Sequence, residues 1–182
     1  MKFIKTEIPD VIIVEPDVFG DHRGFFMETW HAEKFANGGI DAQFVQDNHS
    51  RSGKGILRGL HYQIKQPQGK LVRVLSGEVF DVAVDLRRNS PTFGKWFGMY
   101  LNDISNQMLW VPPGFAHGFY VVSEQADFFY KCTDFYAQEH ERAIRWDDPD
   151  LAIDWPLKGE QEPVLAPKDA EAESFKNAEI FE

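Results

Sequence analysis

Phe80-Asp81-Val82-Ala83-Val84-Asp85-Leu86 changes character at every second residue: Phe80, Val82, Val84 and Leu86 are large and apolar, while Asp81, Ala83 and Asp85 are small or polar. A period of two belongs to a β-strand, whose successive side chains point to opposite faces. The stretch predicts a strand over Glu78–Leu86 with one apolar and one more polar face. Just before it, Ser76-Gly77-Glu78 predicts a tight turn from another strand at Leu71–Leu75. Working outward, Val11–Val14, Gly24–Trp30, Phe44–Asn48, Ile56–Gln63, Trp96–Leu101, Met108–Val111, Gly118–Val122 and Asp127–Phe135 also read as strands. Each is short, rich in Val, Ile, Phe or Tyr, and bounded by turn-forming residues. Helix is predicted at Ala32–Asn37, stopped by Gly38-Gly39, and from Asp169 through Lys176. Many short strands with little helix predict an all-β fold, an antiparallel sandwich or barrel.

The 182 residues are the size of one domain, and no linker or internal repeat divides residues 1–182. The tail, about residues 170–182, is acidic and poorly patterned, and is expected at the periphery. Hydrophobic residues make up 43%, ample for a core, and the net charge is -10. That charge argues against nucleic acid or an anionic membrane as the main partner, while a local cluster of Arg and Lys can still hold an anionic small ligand. Cys132 is the one cysteine, so no intrachain disulfide is expected and a reducing cytoplasm fits. It stands in an apolar-aromatic run and reads as a small buried hydrophobe rather than a nucleophile. The N-terminal residues soon meet charge and proline and do not read as a signal peptide. No run approaches a membrane-spanning length.

Five stretches carry side chains suited to chemistry, and each has a plainer reading beside it. Leu57-Arg58-Gly59-Leu60-His61 puts Arg58 and His61 three residues apart, which strict alternation would send to opposite faces. Gly59 could form a bulge that turns both into one cavity; the plainer reading is a rim arginine and a hydrogen-bonded core histidine. Gln68-Gly69-Lys70-Leu71-Val72-Arg73 offers two cations after a loop, for an anionic group or simply for solvent. Val111-Pro112-Pro113-Gly114-Phe115-Ala116-His117-Gly118 resembles the second half of the cupin barrel motif, whose histidine binds a metal. The first half is missing: the matching stretch is His61-Tyr62-Gln63, with no glutamate in Ile64–Arg73. Two histidines fall short of the three or four donors such a site needs, so no metal is expected and His117 is expected to shape a pocket wall. Tyr130 can donate a proton or pack as a core aromatic. Asp169 can cap a helix or orient a histidine.

Together these pieces resemble the dTDP-4-dehydrorhamnose 3,5-epimerase family. The segments that carry the resemblance are Val18-Phe19-Gly20-Asp21-His22-Arg23-Gly24-Phe25-Phe26, Phe44-Val45-Gln46-Asp47-Asn48-His49-Ser50, Leu57-Arg58-Gly59-Leu60-His61 and Gln68-Gly69-Lys70-Leu71-Val72-Arg73. They continue with Gly77-Glu78-Val79-Phe80-Asp81-Val82-Ala83-Val84-Asp85, Pro91-Thr92-Phe93-Gly94, Pro113-Gly114-Phe115-Ala116-His117-Gly118-Phe119, Tyr130-Lys131 and Lys168-Asp169. The resemblance runs from about Ile8 to Asp169. It implies a cupin-like jelly-roll barrel, a homodimer and a dTDP-linked 4-keto-6-deoxy sugar as substrate.

The resemblance also implies roles. His61 matches the base, Asp169 the carboxylate that orients it, Lys70 the cation that stabilises an enolate, and Tyr130 the acid. Asp85 stands in reserve as the partner of His61. Arg58 and Arg23 would pair with the diphosphate, Phe26 and Tyr136 would flank the thymine, and Glu28, Gln46 and Asn48 would hydrogen-bond base, ribose or phosphate. His117 and Lys168 complete the expected substrate contacts. The segment carrying Arg23, Phe26 and Glu28 would reach into the neighbouring subunit's site. The chemistry suits these residue types: a 4-keto group acidifies the protons at C3 and C5, and a neutral imidazole is a fitting base near neutral pH. The cycle is redox-neutral, and the chain has no Gly-rich dinucleotide loop, so no cofactor is expected. Rival readings are a single-carbon epimerase, a 4-keto sugar isomerase and a non-catalytic sugar-nucleotide binding module.

Overall fold

A computed structural model describes residues 1–157 and 162–182. Along the chain the strands are β1 (Lys2–Lys5), β2 (Ile12–Glu15), β3 (Val18–Asp21), β4 (Gly24–Met27), β5 (Gln46–Gly53), β6 (Leu57–Gln63) and β7 (Lys70–Ser76). They continue as β8 (Glu78–Asp85), β9 (Trp96–Asn102), β10 (Met108–Val111), β11 (Phe115–Val121), β12 (Gln125–Cys132) and β13 (Glu141–Ala143). The helices are α1 (Ala32–Asn37) and α2 (Pro167–Ala170). A six-stranded sheet has the order β1-β2-β10-β7-β12-β5, and a five-stranded sheet the order β13-β6-β11-β8-β9. Among the described residues, β3 and β4 pair only with each other, as a separate hairpin. Strand pairing within the sheets is antiparallel, as expected.

The turn at Gly77 (φ +84°) does not close a hairpin, because β7 and β8 lie in different sheets. It carries the chain from one wall of the barrel to the other. The interior core holds Val72 and Val74 of β7, Val79 and Ala83 of β8, Phe119 of β11 and Phe128 of β12. Outside the five-stranded sheet, Leu57, Leu60, Phe80, Val82, Val84 and Leu86 meet Ile144, Leu151 and Trp155. Outside the six-stranded sheet, Phe35 of α1 and Ile40 pack on Ile12, Val14, Leu71, Met108 and Trp110. Each fully buried Leu, Val or Phe here contributes roughly 1.5–3 kcal/mol of burial free energy.

β8 has the one apolar and one more polar face that its alternation predicts, and both are largely buried. Its large residues point outward into a covered apolar layer, and Asp81 and Asp85 are both 0% exposed. The covering layer includes C-terminal residues on the outside of the sheet. Phe175, Ala178, Ile180 and Phe181 pack against it, and Phe181 exchanges backbone hydrogen bonds with Leu86 and Arg88. The tail's acidic composition hid this, because its few apolar residues do the packing. The helix expected from Asp169 through Lys176 is corrected: α2 ends at Ala170, and a separate 3₁₀ turn spans Phe175–Asn177. Pro167 at the first helical position starts α2 two residues earlier, so Asp169 lies inside the helix and does not cap it.

Candidate active site

The barrel encloses a cavity of about 470 Å³. His61, Lys70, Tyr130, Asp169, Arg58, His117, Tyr136 and Lys168 all line it. Gly59 brings Arg58 and His61 together. Its φ is +123°, and a Cβ there would meet Gly118 Cα at 2.5 Å and the His117 carbonyl oxygen at 2.8 Å. The pairing of β6 with β11 shifts register between His117 and Phe119, opposite this glycine. The shift fits the bulge that Gly59 allows, and both side chains line the cavity.

His61 Nε2 lies 2.5 Å from Asp169 Oδ1, and Asp169 is 1% exposed. A carboxylate there accepts from Nε2–H, which leaves the lone pair on Nδ1. Asp85 is excluded as the partner of His61. It accepts from the Arg87 guanidinium, Ser90 Oγ and Thr92 Oγ1, at the end of β8 that pairs with Phe115. Burial opposes its charge, but these donors hold the Asp85 carboxyl below the usual range.

His117 has its own carboxylate. Its Nε2 lies 3.0 and 2.9 Å from the two Asp81 oxygens, in a pair that is almost wholly buried. Each histidine thus faces a different acid, and among the described residues no three His, Cys, Asp or Glu side chains converge as metal donors would. Lys70, beside Cys132 in the β7–β12 pairing, is pushed below the usual lysine range by burial. Burial also pushes the Tyr130 phenol up to about 12, with Arg58 opposing. The two walls are chemically distinct: His61 stands on the five-stranded sheet, Lys70 and Tyr130 on the six-stranded one.

Glu141 was not foreseen. It accepts from Lys168 Nζ at 2.8 Å and from the Tyr136 hydroxyl at 3.1 Å, and it lines the cavity. Burial alone would raise its pKa, yet Lys168, His61 and Tyr136 hold it below the usual carboxylate range. It sits on β13, a three-residue strand with no pattern of its own to read. Asp81 and Ser52 were missed as well; Ser52 Oγ accepts from Arg58 Nε at 3.0 Å.

The remaining expected residues lie outside the cavity of their own chain. Gln46 and Asn48 bond to each other at 3.1 Å on β5, and Gln46 accepts from the Tyr136 backbone N–H. Glu28 pairs with Lys34. Arg23 pairs with Asp21 on the β3–β4 hairpin, its side chain 78% exposed, and Phe26 is 70% exposed.

A family model described as dTDP-4-dehydrorhamnose 3,5-epimerase matches residues 5–177. A dTDP-4-dehydrorhamnose 3,5-epimerase of Pseudomonas aeruginosa is 58% identical over 182 residues, covering 100% of this chain and 99% of that one. The crystal structure of a dTDP-6-deoxy-D-glucose-3,5-epimerase of Legionella pneumophila, in complex with dTDP-4-keto-L-rhamnose, superposes with a TM-score of 0.94 at 56% identity. The match covers 98% of this chain and 94% of that one. A 3'-monoepimerase of Streptomyces bikiniensis, in complex with dTDP-quinovose, superposes with a TM-score of 0.87 at 31% identity, covering 97% and 88%.

Proposed function

The chain belongs to the dTDP-4-dehydrorhamnose 3,5-epimerase family, and from that premise we propose that it inverts C3 and C5 of dTDP-4-dehydro-6-deoxy-D-glucose to give dTDP-4-dehydro-L-rhamnose. The observation that carries the mechanism is the placement of a carboxylate-oriented imidazole and a phenol on opposite walls of one cavity. Inversion needs a proton removed from one face of the ring and another delivered to the opposite face. His61, its Nε2 taken by Asp169, removes the proton beside the keto group through Nδ1. Asp169 stabilises the imidazolium that forms. The resulting enolate carries its charge on the old keto oxygen, and the Lys70 ammonium stabilises it. Tyr130 then donates to the far face. Repeating the cycle at the other carbon completes the double inversion, and no redox step occurs.

Arg58 takes the diphosphate, and Tyr136 stacks on the thymine. His117, held by Asp81, and Lys168 contact the sugar side. Arg23, Phe26 and Glu28 serve the site of a second copy of the chain in a homodimer, with Gln46 and Asn48 completing the nucleotide contacts. The cytoplasm is the compartment that a single reduced cysteine and a nucleotide-sugar substrate fit. The test is incubation with dTDP-4-dehydro-6-deoxy-D-glucose in deuterium oxide, with a 4-keto reductase to trap the product. Deuterium at both C3 and C5 of an L-configured product is expected. Deuterium at one carbon alone supports a single-centre epimerase, the reading that similarity to the Streptomyces 3'-monoepimerase favours second. No deuterium at either carbon makes the chain a binding module.

A further inference from the structure

A smaller cavity of about 80 Å³ adjoins the main one and shares His61, Lys70, Tyr130, Tyr136 and Glu141 with it. Tyr62, Gln63 and Gln68 line the smaller lobe alone. Two of these have their polar atoms engaged. The Tyr62 hydroxyl donates to the Glu179 carbonyl, and the Gln63 amide donates to Gln66 and Phe135 carbonyls while accepting from the Ala137 N–H. Gln68 differs: its Nε2 donates to the Asp134 carbonyl at 2.9 Å, but its Oε1 accepts no hydrogen bond among the described residues.

The lobe touches both members of the acid–base pair, and a double inversion makes a demand on that pair. After the first inversion His61 holds the proton taken from carbon, and Tyr130 has lost the proton it gave. Neither can act at the second carbon until this is reversed. The reset moves one proton from imidazolium to phenolate, with no change in total charge and no bond left open. The bound sugar lies between them in the main cavity, so the proton needs another route if the sugar stays bound. Resting on the assignment of His61 and Tyr130 above, we propose that a water chain in the side lobe, anchored on Gln68 Oε1, carries this proton from His61 back to Tyr130 between the two inversions.

Space and direction both suit the task. Each water needs only ~10–15 Å³ of such space and two to four polar partners, so the lobe holds a short chain. A phenol pushed up to about 12 by burial retakes a proton from an imidazolium that a water chain connects to it. Gln68 is thus a positioning residue that touches neither sugar nor nucleotide.

The test is Gln68→Leu, which keeps the bulk and removes the acceptor. Single-turnover reactions in deuterium oxide, quenched over time, read the rate of exchange at the first carbon and the fraction of sugar released after one inversion. First-carbon exchange should hold within about threefold, while singly inverted sugar rises ~10-fold or more, since the missing step is a proton transfer. Gln68→Glu, which restores an oxygen, should return the partition toward wild type; a mere packing defect would not be rescued this way. An unchanged partition overturns the relay, as does a raised KM with normal partition, which places the sugar itself in the lobe. If His61→Ala or Tyr130→Phe still inverts both carbons at the normal rate, the acid–base assignment falls instead.

Discussion

The bond between His61 Nε2 and Asp169 decides which nitrogen can act as a base. Asp169→Asn keeps the shape of a side chain that is 1% exposed, and removes the charge that fixes the tautomer and favours imidazolium. Its kcat should fall ~10²–10⁴-fold with little loss of fold; a fall under tenfold would strip Asp169 of its role. Tyr130→Phe separates two steps that a structural tyrosine would link. The ring and its packing against Phe128 remain, and only the donor is lost. Deprotonation by His61 persists, so deuterium should still enter recovered substrate from the original face. Formation of inverted product should slow by ~10²–10⁴-fold. Equal loss of exchange and inversion would make Tyr130 a packing residue. The sign of the pH dependence follows from Lys70. Its ammonium form stabilises the enolate, and burial lowers its pKa, so activity is retained while it is protonated and lost as pH rises through the lowered value. The alkaline limb of kcat should therefore begin below the ordinary lysine range, and in Lys70→Met that limb should vanish from the residual rate.

At the scale of elements, β6 is shaped by one glycine. Gly59→Ala would place a Cβ against the backbone of Gly118 and the His117 carbonyl, at a φ that L-residues avoid. The strained backbone alone should cost ~1–3 kcal/mol, read as a lower Tm, and kcat should fall further as Arg58 and His61 lose their common cavity. An alanine variant with wild-type Tm and activity would show that the bulge is not needed. The sequence offered this bulge as one of two readings, because Gly59 stood between two side chains that alternation would have parted; the strand alone did not choose between it and a rim arginine with a core histidine. α1 was readable, with Gly38-Gly39 ending it where predicted. Other elements were less legible for physical reasons. β5 reads Gln-Asp-Asn-His-Ser-Arg-Ser-Gly, a loop by composition, and the expected strand was placed early, at Phe44–Asn48. Phe44 instead packs against Trp30 and Trp110, and β5 gains its order from pairing along all of β12. β11 starts at Phe115, ahead of the expected Gly118, so His117 sits within a strand facing Asp81. That hydrogen-bonded pair, like Glu141 with Lys168, depends on which elements become neighbours, and no local pattern carries that information. Asp169 was identified through resemblance alone, since its position in a four-residue helix says nothing of a histidine far back in the sequence.

At the scale of the whole molecule, the β3–β4 hairpin pairs with no other strand among the described residues. It exposes Phe19, Phe25 and Phe26 side by side, each by 65% or more. Exposed apolar clusters of this kind mark surfaces that meet a partner. The same hairpin carries Arg23, which the cavity of its own chain does not use. A second copy that receives the hairpin would cover the apolar surface and add a cation near the diphosphate in one step. A two-fold dimer exchanges such segments reciprocally, so each site would draw His61 from one chain and Arg23 from the other. Arg23→Ala and His61→Ala homodimers should then both be impaired, the first in substrate binding and the second in proton removal. Mixed in equal amounts, unfolded and refolded together, half of the dimers pair one chain of each kind. In such a dimer one site receives intact His61 and intact Arg23, and the other has neither. Activity should recover to about a quarter of the wild-type value, above the mean of the two separate variants. Recovery should also fail at concentrations low enough to prevent association. If refolding the mixture yields only the average of the two parents, each site lies within a single chain, and the hairpin's exposed aromatics must serve some other contact.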